Sequence, residues 1–167
     1  MLSEKIQQDL SKTVKKRDEF KISVLRLLMA AILNKEKEKR YKLSKEKPDL
    51  PEDKVAQESQ LTEGEIIDVI SSEVKKRKES VVEYEKGDRK DLAEKEKKEI
   101  EILQKYLPEQ MSEEEIRKLV KEAIEKTGAS NPKDMGKVMG ALIPQVKGKA
   151  DGSLVSKIVK ESLSPKE

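Results

Sequence analysis

Two glycines near the C-terminal end of the chain are spaced so that another backbone, of a helix or of a phosphate polymer, could approach them closely. Gly136 and Gly140 lie four residues apart, and so on one face of a predicted helix, with Lys137 between them. Each glycine costs a helix interior about 1 kcal/mol relative to alanine, so we expect a helix backbone or a phosphate backbone to approach closely. We predict close packing at Gly140 and ligand approach at Gly136, which lies nearer the free N–H groups of the helix start.

A second segment, residues 147–153, combines lysines and glycines with the start of the last predicted helix. Backbone N–H groups at a helix start attract phosphate oxygens, and the spacing is not that of a P-loop. A polymer phosphate is therefore favoured over a bound nucleotide. The candidate phosphate-binding residues are Lys137, Lys147, Lys149, Lys157, Lys160, Gly136, Gly148 and Gly152. The accompanying structural motif is Met135 and Met139 on the buried side, Gly140, Pro144 closing its helix, and Asp151 as a helix cap.

The residue types that are absent exclude most familiar enzyme chemistry. The 167-residue chain has no Cys and no His, which excludes disulfides, thiol nucleophiles, Ser-His-Asp triads and His-based metal sites. Aromatic residues make up 2% of the chain, which argues against base stacking on aromatic side chains. We therefore expect no catalytic residue, no metal and no cofactor.

The remaining charged clusters are interpreted as solvated helix faces. Residues 94–101 alternate Glu with Lys, and residues 75–78 form a basic run whose side chains spread around a helix. Ser71 and Ser72 lie in the middle of a predicted helix with no adjacent general base, so neither is expected to act as a nucleophile.

Charge is unevenly distributed along the chain. The net charge is +3 overall, +7 over residues 1–45, −5 over 46–66 and +4 over 127–160. Basic surfaces of this kind suit phosphate.

No apolar run approaches the ~20 residues that span a bilayer, and the first residues lack a signal-peptide layout. We therefore expect a soluble, cytoplasmic protein without membrane association, and its abundant Glu and Lys are typical of thermophiles.

Apolar periodicity predicts seven helices and an all-α fold. The second helix has apolar residues around much of its circumference, including Phe20 and Leu27, which is typical of the central helix of a bundle. Residues 41–61, with two prolines and several acidic residues, are predicted to form a long mobile acidic loop.

Helix boundaries follow from capping patterns. Thr62 and Ser112 each begin a capping box. Gly87 is expected to end its helix in a left-handed conformation, and Gly128 is expected to stop the helix that Ser112 begins. Pro108 marks a boundary between two blocks. The sequence thus predicts an N-terminal helical bundle with a long helical hairpin over residues 1–108, and a small three-helix domain over residues 109–167.

Several separate motifs resemble the GatB/YqeY family. The segments 134–139 and 143–152 and the helix 154–163 are similar to the tail domain of the B subunit of the glutamine-dependent aspartyl/glutamyl-tRNA amidotransferase. The segments 25–31, 73–80, 91–93 and 106–116 resemble the stand-alone YqeY pattern. The chain departs from the family in a longer loop at 41–61, in Lys149 where Arg is general, and in Ser156 where Asn is common.

The resemblance implies a tail domain that helps to hold tRNA while catalysis takes place elsewhere. The first hypothesis is therefore a non-catalytic tRNA-binding or tRNA-enzyme accessory module. A second is a component of a carbon–nitrogen ligase with glutamine as amide donor, active only with partner subunits. A third is a protein–protein adaptor that docks through the acidic loop. The partners implied are tRNA, tRNA amidotransferase subunits or an aminoacyl-tRNA synthetase.

Overall fold

The computed structural model describes residues 1–164. These residues form eight α-helices and one 3₁₀ turn, with no strand among them, so the all-α fold is confirmed. The chain divides into two compact units: unit 1 is Met1–Tyr106, and unit 2 begins at Leu107. None of the helices within residues 1–164 combines the length and the hydrophobicity needed to cross a membrane.

Unit 1 is the N-terminal helical bundle. Its helices are α1 (Leu2–Lys15), α2 (Glu19–Glu46), α3 (Glu52–Glu58), α4 (Glu63–Lys86) and α5 (Lys90–Gln104). Helices α4 and α5 form the long hairpin, and Thr62 begins α4 through the predicted capping box. The bundle encloses aliphatic side chains that are less than 2% exposed, among them Ile6, Leu25, Leu28, Ile70 and Leu103.

The prediction of a loop over residues 41–61 is wrong. Helix α2 continues to Glu46, and α3 occupies the middle of the segment. The buried side chain of Val55 anchors α3, and the ion pairs Arg40–Glu52 (2.9 Å) and Lys47–Glu58 (3.1 Å) hold it against α2. One apolar anchor with flanking ion pairs therefore replaces the apolar stripe by which the other helices were recognised.

Helix α2 contacts each of the other four helices of unit 1, as predicted for the central helix, but its apolar residues are not all buried. Leu28 and Ile32 are buried, whereas the side chains of Phe20 and Leu27 are 36% and 52% exposed. The apolar residues around α2 therefore form two faces. One lines the core of unit 1, and the other, called here the outer face of α2, lies at the surface.

Unit 1 buries an ion pair between two residues that were predicted to lie on solvated helix faces. Arg77 of α4 donates from Nε to Glu99 of α5 at 2.9 Å and from a terminal nitrogen to Glu73 at 2.8 Å, and Arg77 and Glu99 are both buried. Burial raises the pKa of Glu73, but hydrogen bonds from Lys76 and Arg77 outweigh it and lower the pKa overall. The hairpin turns these two positions towards each other, which the local charge pattern does not reveal.

The turn between α4 and α5 also differs from prediction. Gly87 has an ordinary φ of −83°, and Asp88 adopts the left-handed conformation with φ of 54°. Asp tolerates this region better than most residues, which allows the left-handed position to lie one residue beyond the glycine. Arg17, in the turn between α1 and α2, is also left-handed, with φ of 58°.

The described part of unit 2 is the small three-helix domain. Its helices are α6 (Glu113–Thr127), α7 (Met135–Val146) and α8 (Gly152–Leu163), with a 3₁₀ turn over Pro132–Asp134. Ser112 begins α6 through the predicted capping box, and Gly128 ends it with a left-handed φ of 64°. The three helices enclose an aliphatic core that includes Ile116, Val120, Leu142, Val155 and Ile158.

Candidate nucleic-acid interface

The outer face of α7 carries bare backbone at two glycines, followed by an exposed isoleucine and a lysine. Gly136, Gly140, Ile143 and Lys147 are all exposed, and their spacing of four, three and four residues puts them on one side. A Cβ atom built on Gly136 or Gly140 meets no described atom within 4 Å. The prediction that Gly140 packs against another helix is therefore wrong, since the core is contacted from the opposite side of α7.

Pro144 lies inside α7 and does not close it, because the helix continues to Val146. A proline inside a helix removes one backbone hydrogen bond, and its ring crowds the carbonyl four residues earlier. Pro144 has no N–H group, so the carbonyl of Gly140 lacks its ordinary donor four residues later. The outer face of α7 thus presents a hydrogen-bond acceptor beside the two glycines.

Helix α8 packs beside α7, and the line along which the two helices meet borders the outer face of α7. The hydroxyl of Ser156 lies 3.9 Å from the sulfur of Met139, which marks where α7 and α8 touch near the surface. The connection over residues 147–151 is short, so the two helices form an antiparallel hairpin. Lys160, one turn after Ser156, therefore lies towards Gly136. We call this surface the α7–α8 groove, defined by Gly136, Met139, Gly140, Ile143, Lys147, Ser153, Ser156, Lys157 and Lys160.

The turn that joins α7 to α8 is held by the segment before α6. The amide of Met111 donates to the carbonyl of Lys149 at 2.7 Å, and the side chain of Gln110 donates to the carbonyl of Gly148 at 2.7 Å. Gly148 is left-handed, with φ of 71°, so its backbone conformation explains the glycine without a ligand. Sequence reasoning missed the role of Gln110 and Met111, which no periodic pattern marks.

The start of α8 already carries a carboxylate. Asp151 is its N-cap and accepts a hydrogen bond from the amide of Ser153 at 2.9 Å. A phosphate at this helix start would compete with that carboxylate for the same N–H groups. Gly152 is exposed, and a Cβ built there meets no described atom within 4 Å. The groove is thus a better place for phosphate than the helix start.

The five candidate lysines are not equivalent. Lys137 lies 3.0 Å from Asp134, and its hydrogen bond lowers the pKa of that carboxyl. Lys157 lies 4.0 Å from Glu161. Within residues 1–164, Lys149 and Lys160 take part in no ion pair. Of the lysines that define the groove, Lys160 is therefore the one that no described carboxylate neutralises, and Lys147 adds an exposed charge at the end of α7.

Unit 1 offers a weaker site. A groove of about 720 Å³ runs between α2 and α4, but its lysines face carboxylates, as in Lys39–Glu65 and Lys76–Glu73, both 2.8 Å apart. The hydroxyl of Ser71 is buried without a hydrogen-bond partner among the described residues, so no base activates it. Residues 1–164 also bring together no group of three acidic side chains that could hold a metal.

The chain matches known proteins over most of its length. The model of the family described as Yqey-like protein matches residues 47–163. Curated relatives include a protein of Pyrenophora tritici-repentis, 28% identical over 97% of this chain and 81% of its own length. Another, from Lachancea thermotolerans, is 31% identical over 76% of this chain and 60% of its own length. An uncharacterized protein of Schizosaccharomyces pombe is 39% identical over 30% of this chain and 42% of its own length.

The first two relatives share the name altered inheritance of mitochondria protein 41, mitochondrial. This name contradicts the cytoplasmic location expected from the sequence, and that expectation is withdrawn. The family match spans the α7–α8 groove and the segment 106–116, where the sequence motifs were recognised. The resemblance to the YqeY family is thereby confirmed, and the chain belongs to the Yqey-like protein family.

Proposed function

We propose that the chain binds tRNA through the α7–α8 groove, as a non-catalytic accessory module. The observation that carries this proposal is the open space beside Gly136 and Gly140. Each glycine lowers the stability of the helix by about 1 kcal/mol relative to alanine, and neither glycine allows closer packing in the core of unit 2. The approach of a ligand then explains why glycine occupies these two positions.

The chemistry of the groove suits a ribose–phosphate backbone. Lys147 and Lys160 supply positive charge for phosphate oxygens, and the absence of side chains at the glycines lets a backbone approach α7 closely. The carbonyl of Gly140 can accept a hydrogen bond from a ribose 2′-hydroxyl, a group that DNA lacks. The resemblance of residues 134–163 to a tRNA-holding tail domain is what favours tRNA among RNA molecules.

The salt dependence of binding tests the proposal. The affinity of the full chain for a tRNA transcript is measured between low and physiological salt, beside a single-stranded RNA of equal length. Each phosphate contact adds about 0.7–0.9 to the slope of log affinity against log salt. Replacing Lys147 and Lys160 together by Ala should reduce the slope by about two such contacts.

A matched control removes equal charge elsewhere in unit 2. Lys118 and Lys126 are exposed on α6, and replacing both by Ala should leave the slope unchanged. Gly136→Ala should weaken binding while leaving the net charge intact. Equal losses for both lysine pairs, or unaltered binding by Gly136→Ala, would refute the proposal.

A further inference from the structure

The outer face of α2 carries large side chains at intervals of seven residues. Phe20, Leu27 and Tyr41 are 36%, 52% and 61% exposed, and Asn34 occupies the position between the last two. An interval of seven residues is the repeat of a helix that packs along another helix. Because α2 is 28 residues long, this repeat covers most of its length.

Small side chains occupy the first two of the second seam positions. Ser23 and Ala30 lie three residues after Phe20 and Leu27 and are both exposed, and the exposed Lys37 occupies the next such position, three residues after Asn34. The core of unit 1 contacts the other side of α2, through residues such as Leu28. The outer face can therefore accept a second helix at short distance without any change in unit 1.

Charges beside the seam distinguish the ways in which two copies could pair. In a parallel pair, Arg40 faces Lys45 of the other copy. In an antiparallel pair whose two-fold axis passes beside residue 32, Arg26 faces Arg40 of the other copy. If the axis instead passes between residues 28 and 29, Glu19 faces Arg40 of the other copy, and Arg26 faces the apolar Leu33 of the other copy. The last arrangement brings opposite charges together and avoids both repulsive contacts.

We propose that the partner of this face is a second copy of the chain, packed antiparallel about a two-fold axis between residues 28 and 29. In this register Leu27 packs on Ala30 of the other copy, and Asn34 faces Ser23, to which it can hydrogen-bond. Phe20 lies along the aliphatic part of Lys37, whose ammonium group reaches solvent. Two-fold symmetry makes each of these contacts twice. Charge complementarity between Glu19 and Arg40 selects this register.

Sedimentation equilibrium of the full chain, treated with nuclease to remove RNA, tests the association. We expect a concentration-dependent dimer that Leu27→Glu weakens at least about tenfold. Val82 is an equally suitable apolar residue on α4, 48% exposed, and Val82→Glu should leave the dimer intact. Circular dichroism checks that both variants fold. A chain that stays monomeric at high concentration, or a dimer that Leu27→Glu does not affect, overturns the proposal.

Charge reversal tests the register. Glu19→Arg should weaken the dimer, and adding Arg40→Glu in the same chain should restore it, because the two charges then exchange places. Arg40 also pairs with Glu52 of its own chain, so the single variant Arg40→Glu would change two interactions at once. For this reason only the double variant is compared with Glu19→Arg. A double variant no stronger than Glu19→Arg alone contradicts the register.

Engineered cysteines test the orientation, since the chain has no Cys of its own. Mixing the variants Leu27→Cys and Ala30→Cys should give a disulfide between unlike chains faster than either variant gives one alone. Rapid cross-linking of Leu27→Cys with itself, and none between the unlike variants, would indicate parallel packing and overturn the proposal.

Discussion

Helices α2 and α7 each leave one face open, and the two faces differ in kind. Helix α2 exposes bulky side chains, with Leu27 and Tyr41 more than half exposed. Helix α7 exposes Gly136 and Gly140, where a Cβ would meet no described atom within 4 Å. Covering the first face removes apolar surface from water, whereas the second offers polar backbone groups. One suits a helix, and the other suits a narrow polar chain.

The interiors of the two units differ in a related way. Unit 1 buries Arg77 and Glu99, whereas the buried cluster of α6, α7 and α8 is apolar throughout the residues described. A buried ion pair is sensitive to the loss of either partner, while an apolar core is sensitive to volume. Substitutions of modest size in the two units should therefore change the free energy of unfolding by different amounts and in different directions.

The largest expected effect is that of Glu99→Ala. It leaves a buried guanidinium without one of its carboxylates, and breaking a buried pair costs about 3–5 kcal/mol. Because Arg77 keeps its contact with Glu73, we expect the lower end of that range. Chemical denaturation of the full chain measures the loss, with Glu101→Ala, exposed on the same helix, as the control. A loss no larger than that of the control would contradict a buried ion pair.

Two glycine substitutions in unit 2 should have opposite signs. Gly140→Ala should raise the free energy of unfolding by up to ~1 kcal/mol, because the new methyl group meets open space in a helix. Gly128→Ala should lower it by about 1–2 kcal/mol, since φ of 64° is unfavourable for a residue with a Cβ. Thermal melts measure both. A lower melting temperature for Gly140→Ala would restore the packing interpretation.

The smallest expected effect is pH-dependent and lies in unit 1. Hydrogen bonds from Lys39 and from the backbone of Thr62 lower the pKa of Glu65 from 4.5 to about 2. A lowered pKa stabilises the fold above the unfolded value, and this contribution is lost as pH falls from about 4.5 towards 2. The Glu65 side chain is 37% exposed, so screening limits the effect to about 0.5 kcal/mol.

Melting Glu65→Gln beside the unsubstituted chain between pH 7 and pH 3 measures this contribution. The variant should melt lower at pH 7, and the difference should shrink as the solution is acidified. A difference that stays constant with pH would mean that the Glu65 carboxylate gains nothing from Lys39 in the folded chain.

Features set by a few neighbouring residues could be predicted from the sequence. The capping boxes at Thr62 and Ser112 and the helix stop at Gly128 are confirmed, since each depends on residues within one turn of it. Features set by packing could not. Helix α3 depends on its ion pairs to α2, and the burial of Arg77 depends on the hairpin that brings Glu99 to it.

The candidate site also combines features that could be predicted from the sequence with features that could not. Glycine spacing and lysine content pointed to residues 136–160, but the pattern could not tell whether the glycines face the core or solvent. The sequence also gave no sign that Gln110 and Met111 reach the turn before α8, because residues 38 positions apart in the chain leave no shared periodicity.

The hydrogen bond from Met111 to Lys149 also has a kinetic consequence. Met111 precedes α6, so no helix protects its amide hydrogen, and its exchange with solvent is slowed by this bond. The bond can form only after the chain between the two residues has closed into a loop. The exchange rate of this single amide therefore reports how often the turn beside the α7–α8 groove opens while the helices of unit 2 remain folded.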